Sequence, residues 1–305
     1  MPQPLHQVID AVGQVVLGKE RVIRLAVTTL LARGHLLLED IPGIGKTTLA
    51  LSLARALGLQ FGRIQFTSDL LPADITGTTV FNPKEQTFSF RPGPIFRQVI
   101  LADEINRATP KTQSALLESM GEGQVSVEGT TYRLPQPFFV VATQNPIEQY
   151  GTFPLPESQL DRFFMSLRMD YPARQMEKDL LSRLDSRRRI AAITPVLKAE
   201  DLLAAQEKVQ QVKAADPLLE YVLDIVWATR RSDRLAMGIS PRGAEAIVMA
   251  AKAWAYLGGR DYCQPEDVQA VAPAVMRHRL VPRGDYSGMR REQVVEELLA
   301  TVPVP

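Results

Sequence analysis

The sequence predicts an α/β fold: a parallel sheet carrying two inserted β-hairpins, followed by an all-helical domain. Three observations predict it. Short apolar runs alternate with helical stretches from His35 to Pro172; the first run enters a helix through a glycine-rich loop; and β signals vanish after Tyr171-Pro172. Alternation of this kind is what a parallel sheet with crossover helices requires.

Val8 to Ala32 carries apolar residues at helical spacing, interrupted at Gly13 and Gly18, and predicts two helices joined through Leu17, Gly18 and Lys19. His35 to Leu38 is a short strand closed by Glu39-Asp40-Ile41-Pro42-Gly43. Lys46 to Leu57 is a helix stopped by Gly58. Further strands are Arg63 to Phe66, Gln98 to Ala102 and Phe138 to Thr143, with a helix over Lys111 to Met120. Two hairpins interrupt this order, Gly77 to Phe90 around Asn82-Pro83-Lys84-Glu85, and Gly123 to Leu134 around Glu128-Gly129-Thr130. Each reads equally as an ordinary surface hairpin. Helical patterns then fill Ala173 to Asp185, Leu202 to Val212, Pro217 to Thr229, Pro241 to Leu257, Pro265 to His278 and Arg290 to Thr301. Ser240-Pro241 and Gln264-Pro265 are helix starts, because proline at the first position gives up an N–H that would lack a partner anyway. A boundary between Asp185 and Thr194 divides the chain into residues 1–188 and 189–305.

Composition narrows the function classes. The 305 residues are 45% hydrophobic and 23% charged, a globular mixture, and 35 Lys and Arg against 34 Asp and Glu leave a net charge of +1. No global field therefore draws the chain to nucleic acid or an anionic membrane. The single cysteine, Cys263, cannot form an intrachain disulfide and has no neighbouring catalytic histidine, so it reads as structural. The N-terminus has no basic segment ahead of an apolar core, and no run reaches the ~18 apolar residues of a membrane span. The expectation is a cytoplasmic protein. His6, His35 and His278 are too scattered for a zinc site, so any metal arrives with a ligand. Arg187-Arg188-Arg189 and the cluster Arg277, His278, Arg279 and Arg283 read as solvated faces, and Trp227 and Trp254 as core.

Asp40-Ile41-Pro42-Gly43-Ile44-Gly45-Lys46-Thr47-Thr48 lies between the first strand and its helix, where backbone N–H groups and the helix dipole can hold phosphate oxygens. Lys46 would add charge at the β and γ phosphates, and Thr47 a hydroxyl to Mg²⁺. Asp40 stands where the G-x-x-x-x-G-K-[ST] pattern has its first glycine. Val99 to Ala102 is an apolar strand whose following carboxylates, Asp103 and Glu104, would emerge beside that loop. Asp103 suits a Mg²⁺ ligand and Glu104 a base polarising water. The pair also reads as a solvated acidic strand end. The strand ending at Thr143 would carry Asn145 to the same sheet edge, where an amide can bond both the attacking water and the γ phosphate.

These residues resemble the AAA+ ATPases, and within them the MoxR family. The resemblance rests on Leu38 to Thr47, Asp103-Glu104-Ile105-Asn106-Arg107-Ala108, Ala142-Thr143-Gln144-Asn145-Pro146, Leu155 to Phe163, and Ser240-Pro241-Arg242. It implies an AAA+ P-loop core with a helical lid, and ATP hydrolysis with Mg²⁺ in a ring of identical subunits, a hexamer. It implies that Glu104 is the Walker B glutamate, Asn145 sensor 1, Arg162 an arginine finger given to the neighbouring subunit, and Arg242 sensor 2. Arg162 reads alternatively as capping its own domain. By the same resemblance Gly18 and Lys19 line the adenine pocket, joining Pro42, Gly43, Ile44, Gly45, Lys46, Thr47 and Thr48 as nucleotide contacts. The partners implied are client proteins with von Willebrand factor A domains, with no specific nucleic acid. Two other classes stay open: a nucleic-acid-remodelling motor, and a nucleotide-switched binding module with little turnover.

Overall fold

The fold, a computed structural model, is described over residues 3–146, 151–182, 186–284 and 291–305. Helices α1 (Gln3–Gly13) and α2 (Glu20–Leu31) open the chain. β1 (Leu36–Glu39), α3 (Lys46–Ala56) and β2 (Phe61–Gln65) follow. The short α4 (Pro72–Thr76) precedes the first hairpin, β3 (Gly77–Asn82) with β4 (Thr87–Pro92). Next come β5 (Val99–Asp103), α5 (Pro110–Glu122), the second hairpin β6 (Gln124–Val127) with β7 (Thr130–Arg133), and β8 (Phe139–Gln144). α6 (Glu157–Leu160) and β9 (Met165–Leu167) complete the sheet region.

The C-terminal part consists of α7 (Arg174–Ser182), α8 (Ser186–Ala192), α9 (Ala199–Gln211), α10 (Asp216–Arg231), β10 (Leu235–Met237), α11 (Pro241–Leu257), α12 (Pro265–Met276), β11 (Val281–Pro282) and α13 (Arg291–Thr301). Residues 183–185, where the expected helix Ala173 to Asp185 was to end, lie outside the described residues, as does Arg290. The C-terminal part carries two features the sequence did not announce: helix α8, which lies where the boundary between Asp185 and Thr194 was expected, and the antiparallel ribbon β10–β11, whose strands are too short to make a period-2 pattern.

Five strands form a parallel sheet in the order β2-β5-β8-β1-β9. The central strands β5 and β8 read Val-Ile-Leu-Ala-Asp and Phe-Val-Val-Ala-Thr-Gln, buried throughout except at Gln144. Such unbroken apolar runs are what a sheet covered on both faces needs. Alternation sorts them between two cores: Leu36, Leu38, Val99, Leu101, Phe139 and Val141 face α1 to α3 and the lid, whereas Leu37, Ile100, Ala102, Val140 and Ala142 face the layer containing α5. In this order the C-terminal ends of β5, β8 and β1 adjoin, which brings together the loops that follow them.

The second hairpin turns on Glu128 and Gly129 alone, with φ of +49° and +79°, so Thr130 opens β7. Two positive φ angles in a two-residue loop match the right-handed twist of the strands, and glycine supplies one without strain. Two expectations fail. Arg277, His278 and Arg279 are buried, because each finds partners inside, and Trp227 on α10 is 48% exposed, flanked by Arg230 and Arg231. Trp254 does pack on the core, with Arg24 over its ring.

Candidate active site

The loop after β1 is set by two glycines, Gly43 and Gly45, at φ +86° and +95°. L-residues with a Cβ rarely adopt these angles. Gly45 caps α3, so the free N–H groups of its first turn and the positive end of its dipole point out of the loop. Lys46 is buried and its Nζ donates to the Asp40 carbonyl at 2.7 Å. Asp40, in place of the pattern's first glycine, is buried as well. Its Oδ1 accepts from the Ile41 N–H at 3.0 Å, and its Oδ2 from the N–H groups of Met169 and Asp170 at 2.6 and 2.9 Å. The carboxylate thus ties the loop to the chain leaving β9.

Asp103 ends β5 with both carboxylate oxygens engaged: Thr143 Oγ1 donates to Oδ1 at 2.7 Å, and Arg63 Nη2 to Oδ2 at 2.6 Å. Glu104 adopts φ +58°, ψ +50°, a left-handed conformation that costs a side-chain-bearing residue about 1–2 kcal/mol. Its N–H is held by Thr143 Oγ1 at 2.8 Å. The Glu104 carboxylate takes Gln65 Nε2 at 2.8 Å and Arg107 Nε at 3.1 Å. Asn145, one residue beyond β8, is buried at the same edge.

These groups line one cavity of about 440 Å³, formed by Pro42, Gly43, Gly45, Lys46, Thr47 and Thr48 with Arg63, Gln65, Asp103, Glu104 and Asn145. A second cavity of about 590 Å³ shares Pro42, Gly43, Gly45 and Thr48 with it. Its other walls are mainly apolar, among them Val15, Leu17, Met169 and Tyr171. A charged chamber joined to an apolar one across a helix N-terminus fits a triphosphate and its base. Among the described residues no group of three or more His, Cys, Asp or Glu is placed to hold a metal ion. One hydroxyl, Thr47, and one carboxylate, Asp103, fit a hard cation that brings phosphate oxygens and water as its remaining ligands.

Of the adenine-side candidates, Lys19 and Ile44 line the apolar cavity, and Lys19 Nζ donates to the Tyr171 carbonyl at 3.1 Å. Gly18, at φ +67°, faces Met176, whose Cγ would lie 3.0 Å from an added Cβ. Arg162 and Arg242 are exposed and line neither cavity. Arg162 Nη1 rests on the Leu117 carbonyl at 3.1 Å.

Near these two arginines in the chain, Asp161 and Ser240 join the buried Arg279 in a polar knot. Asp161 Oδ1 pairs with Arg279 Nε at 2.7 Å, and Asp161 Oδ2 accepts from Ser240 Oγ at 3.0 Å. Ser240 in turn caps α11 through the Gly243 N–H. Arg279 also donates to the Phe163 and Phe164 carbonyls at 2.6 and 3.1 Å, and His278 Nε2 bonds Phe163 O at 2.9 Å. Burial pushes the Arg279 guanidinium below its usual range, opposed by Asp161. Burial, then the neighbouring Arg279, pushes the His278 imidazole well down. Arg277 joins Glu39, before the loop, to Glu292 on α13, at 3.5 and 2.7 Å. Arg63, Gln65 and Thr143 were missed as site residues. Their signal was positional only: Arg63 and Gln65 share one face of β2, next to the strand ending in Asp103.

Residues 35–165 match the family described as "ATPase family associated with various cellular activities (AAA)", and residues 227–298 match the AAA lid domain. The chain is 47% identical to the uncharacterized protein YeaC of Bacillus subtilis, over 99% of this chain and 95% of that protein. It is 40% identical to "Chaperone MoxR1" of Mycobacterium tuberculosis, over 99% and 82% respectively. A crystal structure of a candidate ATPase from Cytophaga hutchinsonii superposes with a TM-score of 0.90 at 37% identity, covering 99% of this chain and 95% of that one. With the loop, the paired carboxylates and the helical lid in these positions, the chain belongs to the MoxR family of AAA+ ATPases.

Proposed function

We propose that the protein hydrolyses ATP with Mg²⁺ in a hexameric ring of identical subunits and acts as a chaperone in the maturation or assembly of partner proteins. The observation that carries the reading is the convergence of Lys46, Thr47, Asp103, Glu104 and Asn145 on one cavity at the N-terminus of α3. Lys46 and the loop N–H groups hold the β and γ phosphates. Thr47 and Asp103 are the residues that would hold Mg²⁺, whose charge would offset that of the phosphate oxygens. Glu104 polarises the attacking water, and Asn145 bonds that water and the γ phosphate. Arg162 reaches the neighbouring subunit's nucleotide, and Arg242 approaches from the lid. The exposure of Arg162 away from its own cavity supports its role between subunits.

Residues 1–188 serve as the nucleotide-binding core and 189–305 as the lid. The chaperone role is supported by the name of the Mycobacterium tuberculosis relative, and clients with von Willebrand factor A domains by the family resemblance. A cytoplasmic site of action accords with the single cysteine, Cys263, whose thiol burial pushes up to about 11. Among the described residues no helix is long and apolar enough to cross a membrane. Two variants test the chemistry. Lys46→Ala should weaken nucleotide binding, while Glu104→Gln should keep ATP bound and slow hydrolysis by about 10²-fold or more. Normal turnover in Glu104→Gln would overturn the assignment.

A further inference from the structure

Asp103, the carboxylate suited to the divalent ion, already has a cation on it. From the edge strand β2, Arg63 Nη2 donates to Asp103 Oδ2 at 2.6 Å and to Gln65 Oε1 at 2.7 Å. Thr143 holds the other Asp103 oxygen. The two partners differ in freedom: the Asp103 side chain is 13% exposed and that of Arg63 49%. The acid is fixed by its strand and the Thr143 hydroxyl, while the guanidinium stands at the cavity wall with room to swing outward.

We propose that Arg63 is a positioning residue, a tethered cation that neutralises Asp103 while the divalent ion is away and gives up that oxygen when the ion arrives with the nucleotide. The inference rests on reading this cavity as the Mg²⁺-nucleotide site. Glu104 keeps its own cation, Arg107, at 3.1 Å, but without Arg63 a triphosphate entering without metal would face the uncompensated carboxylate of Asp103 at close range. With Arg63 in place that charge too is cancelled and the loop's positive field dominates. The same ion pair has to break before a divalent ion can take Asp103 Oδ2. Arg63 therefore helps metal-free nucleotide to bind and reduces the gain that Mg²⁺ adds.

That gain is a coupling between two ligands and can be measured without turnover. The full-length protein, Arg63→Gln and Arg63→Lys would be titrated with mant-ATPγS in EDTA and again in saturating Mg²⁺, after thermal melts establish that each variant is folded. Arg63→Gln should bind the analogue more weakly in EDTA and raise the Mg²⁺-to-EDTA affinity ratio about tenfold, within the usual 5–150-fold span of such couplings. Arg63→Lys should restore most of the wild-type ratio. Equal losses in both conditions would mean that Arg63 grips phosphate itself, and would overturn the proposal, as would an unchanged ratio. Failure of the wild-type protein to bind the analogue in either condition would instead bring down the nucleotide-site reading, and the Arg63 proposal with it.

Discussion

Asp40 offers a sharp test of how the phosphate loop is held. Its carboxylate accepts from Ile41, Met169 and Asp170, and the two bonds from Met169 and Asp170 join the loop to the chain leaving β9, more than a hundred residues later. A hydrogen bond to a charged group contributes about 1.5–3 kcal/mol, so the two long-range bonds together represent about 3–6 kcal/mol. Water entering the space left by Asp40→Ala would recover part of that, which leaves about 3 kcal/mol of destabilisation. At roughly 2–4 °C per kcal/mol for a large domain, the midpoint of thermal unfolding should fall by about 6–12 °C. Asp40→Asn, which keeps one acceptor oxygen but turns an N–H toward a donor, should fall between alanine and the parent. Circular dichroism melts measure this, and mant-ATP titration of the folded variants should show weakened binding, because Lys46 Nζ sits on the Asp40 carbonyl. A melting midpoint within about 2 °C of the parent, with unaltered affinity, would refute the reasoning.

Two further outcomes follow from buried and exposed rings. His35 bonds the Met120 carbonyl through Nε2 and accepts the Val140 N–H on Nδ1, and burial pushes its imidazole down to about 4. Between pH about 6.5 and 4 the unfolded chain takes up a proton that the folded chain refuses. Stability is therefore complete above pH 6.5 and is lost as pH falls, by about 2 kcal/mol at pH 5 from this group alone. Urea midpoints at pH 7 and 5 check it: His35→Gln should flatten the slope, and an equal stability of the parent at both values would contradict it. At the first hairpin, Phe81 and Phe88 pair across the strands with ring centroids 5.1 Å apart, yet are 48% and 73% exposed. Deleting Asn82 to Gln86 should leave basal ATP hydrolysis intact and abolish stimulation by a client, whereas undiminished stimulation would remove the hairpin from client contact.

Much of this was legible in the sequence for a physical reason: strands buried on both faces must be continuously apolar, and Val99 to Ala102 and Phe138 to Thr143 say so directly. The loop at Gly43 and Gly45 was equally plain, because its angles restrict the residue types. β9 escaped notice since Met165-Ser166-Leu167 is three residues long and carries a hydroxyl, which the structure satisfies on Glu39 Oε2 at 2.6 Å. Arg277, His278 and Arg279 look like a solvated basic run because charge alone carries no sign of burial. What draws them inside is Glu39, Asp161 and the carbonyl of Phe163, all distant in sequence. Trp227 fits a helical apolar stripe with Leu219 and Leu223, but that stripe faces outward, and periodicity cannot tell which face of a helix meets the core. Glu104's left-handed backbone and the grip of Arg63 and Gln65 on the two acids depend on tertiary geometry and leave no local trace.

The central claim is that ATP is hydrolysed at a site completed by a neighbouring subunit. The most direct test is the Mg²⁺-dependent hydrolysis rate per subunit over a wide range of protein concentration, for the parent and for Arg162→Ala. An arginine supplied in trans is worth about 10³–10⁵ in rate. The account predicts a parent rate that climbs to a plateau as the protein concentrates, with Arg162→Ala staying low throughout. An appreciable rate, independent of concentration in a protein that sizing shows to be monomeric, and undiminished in Arg162→Ala, would contradict it.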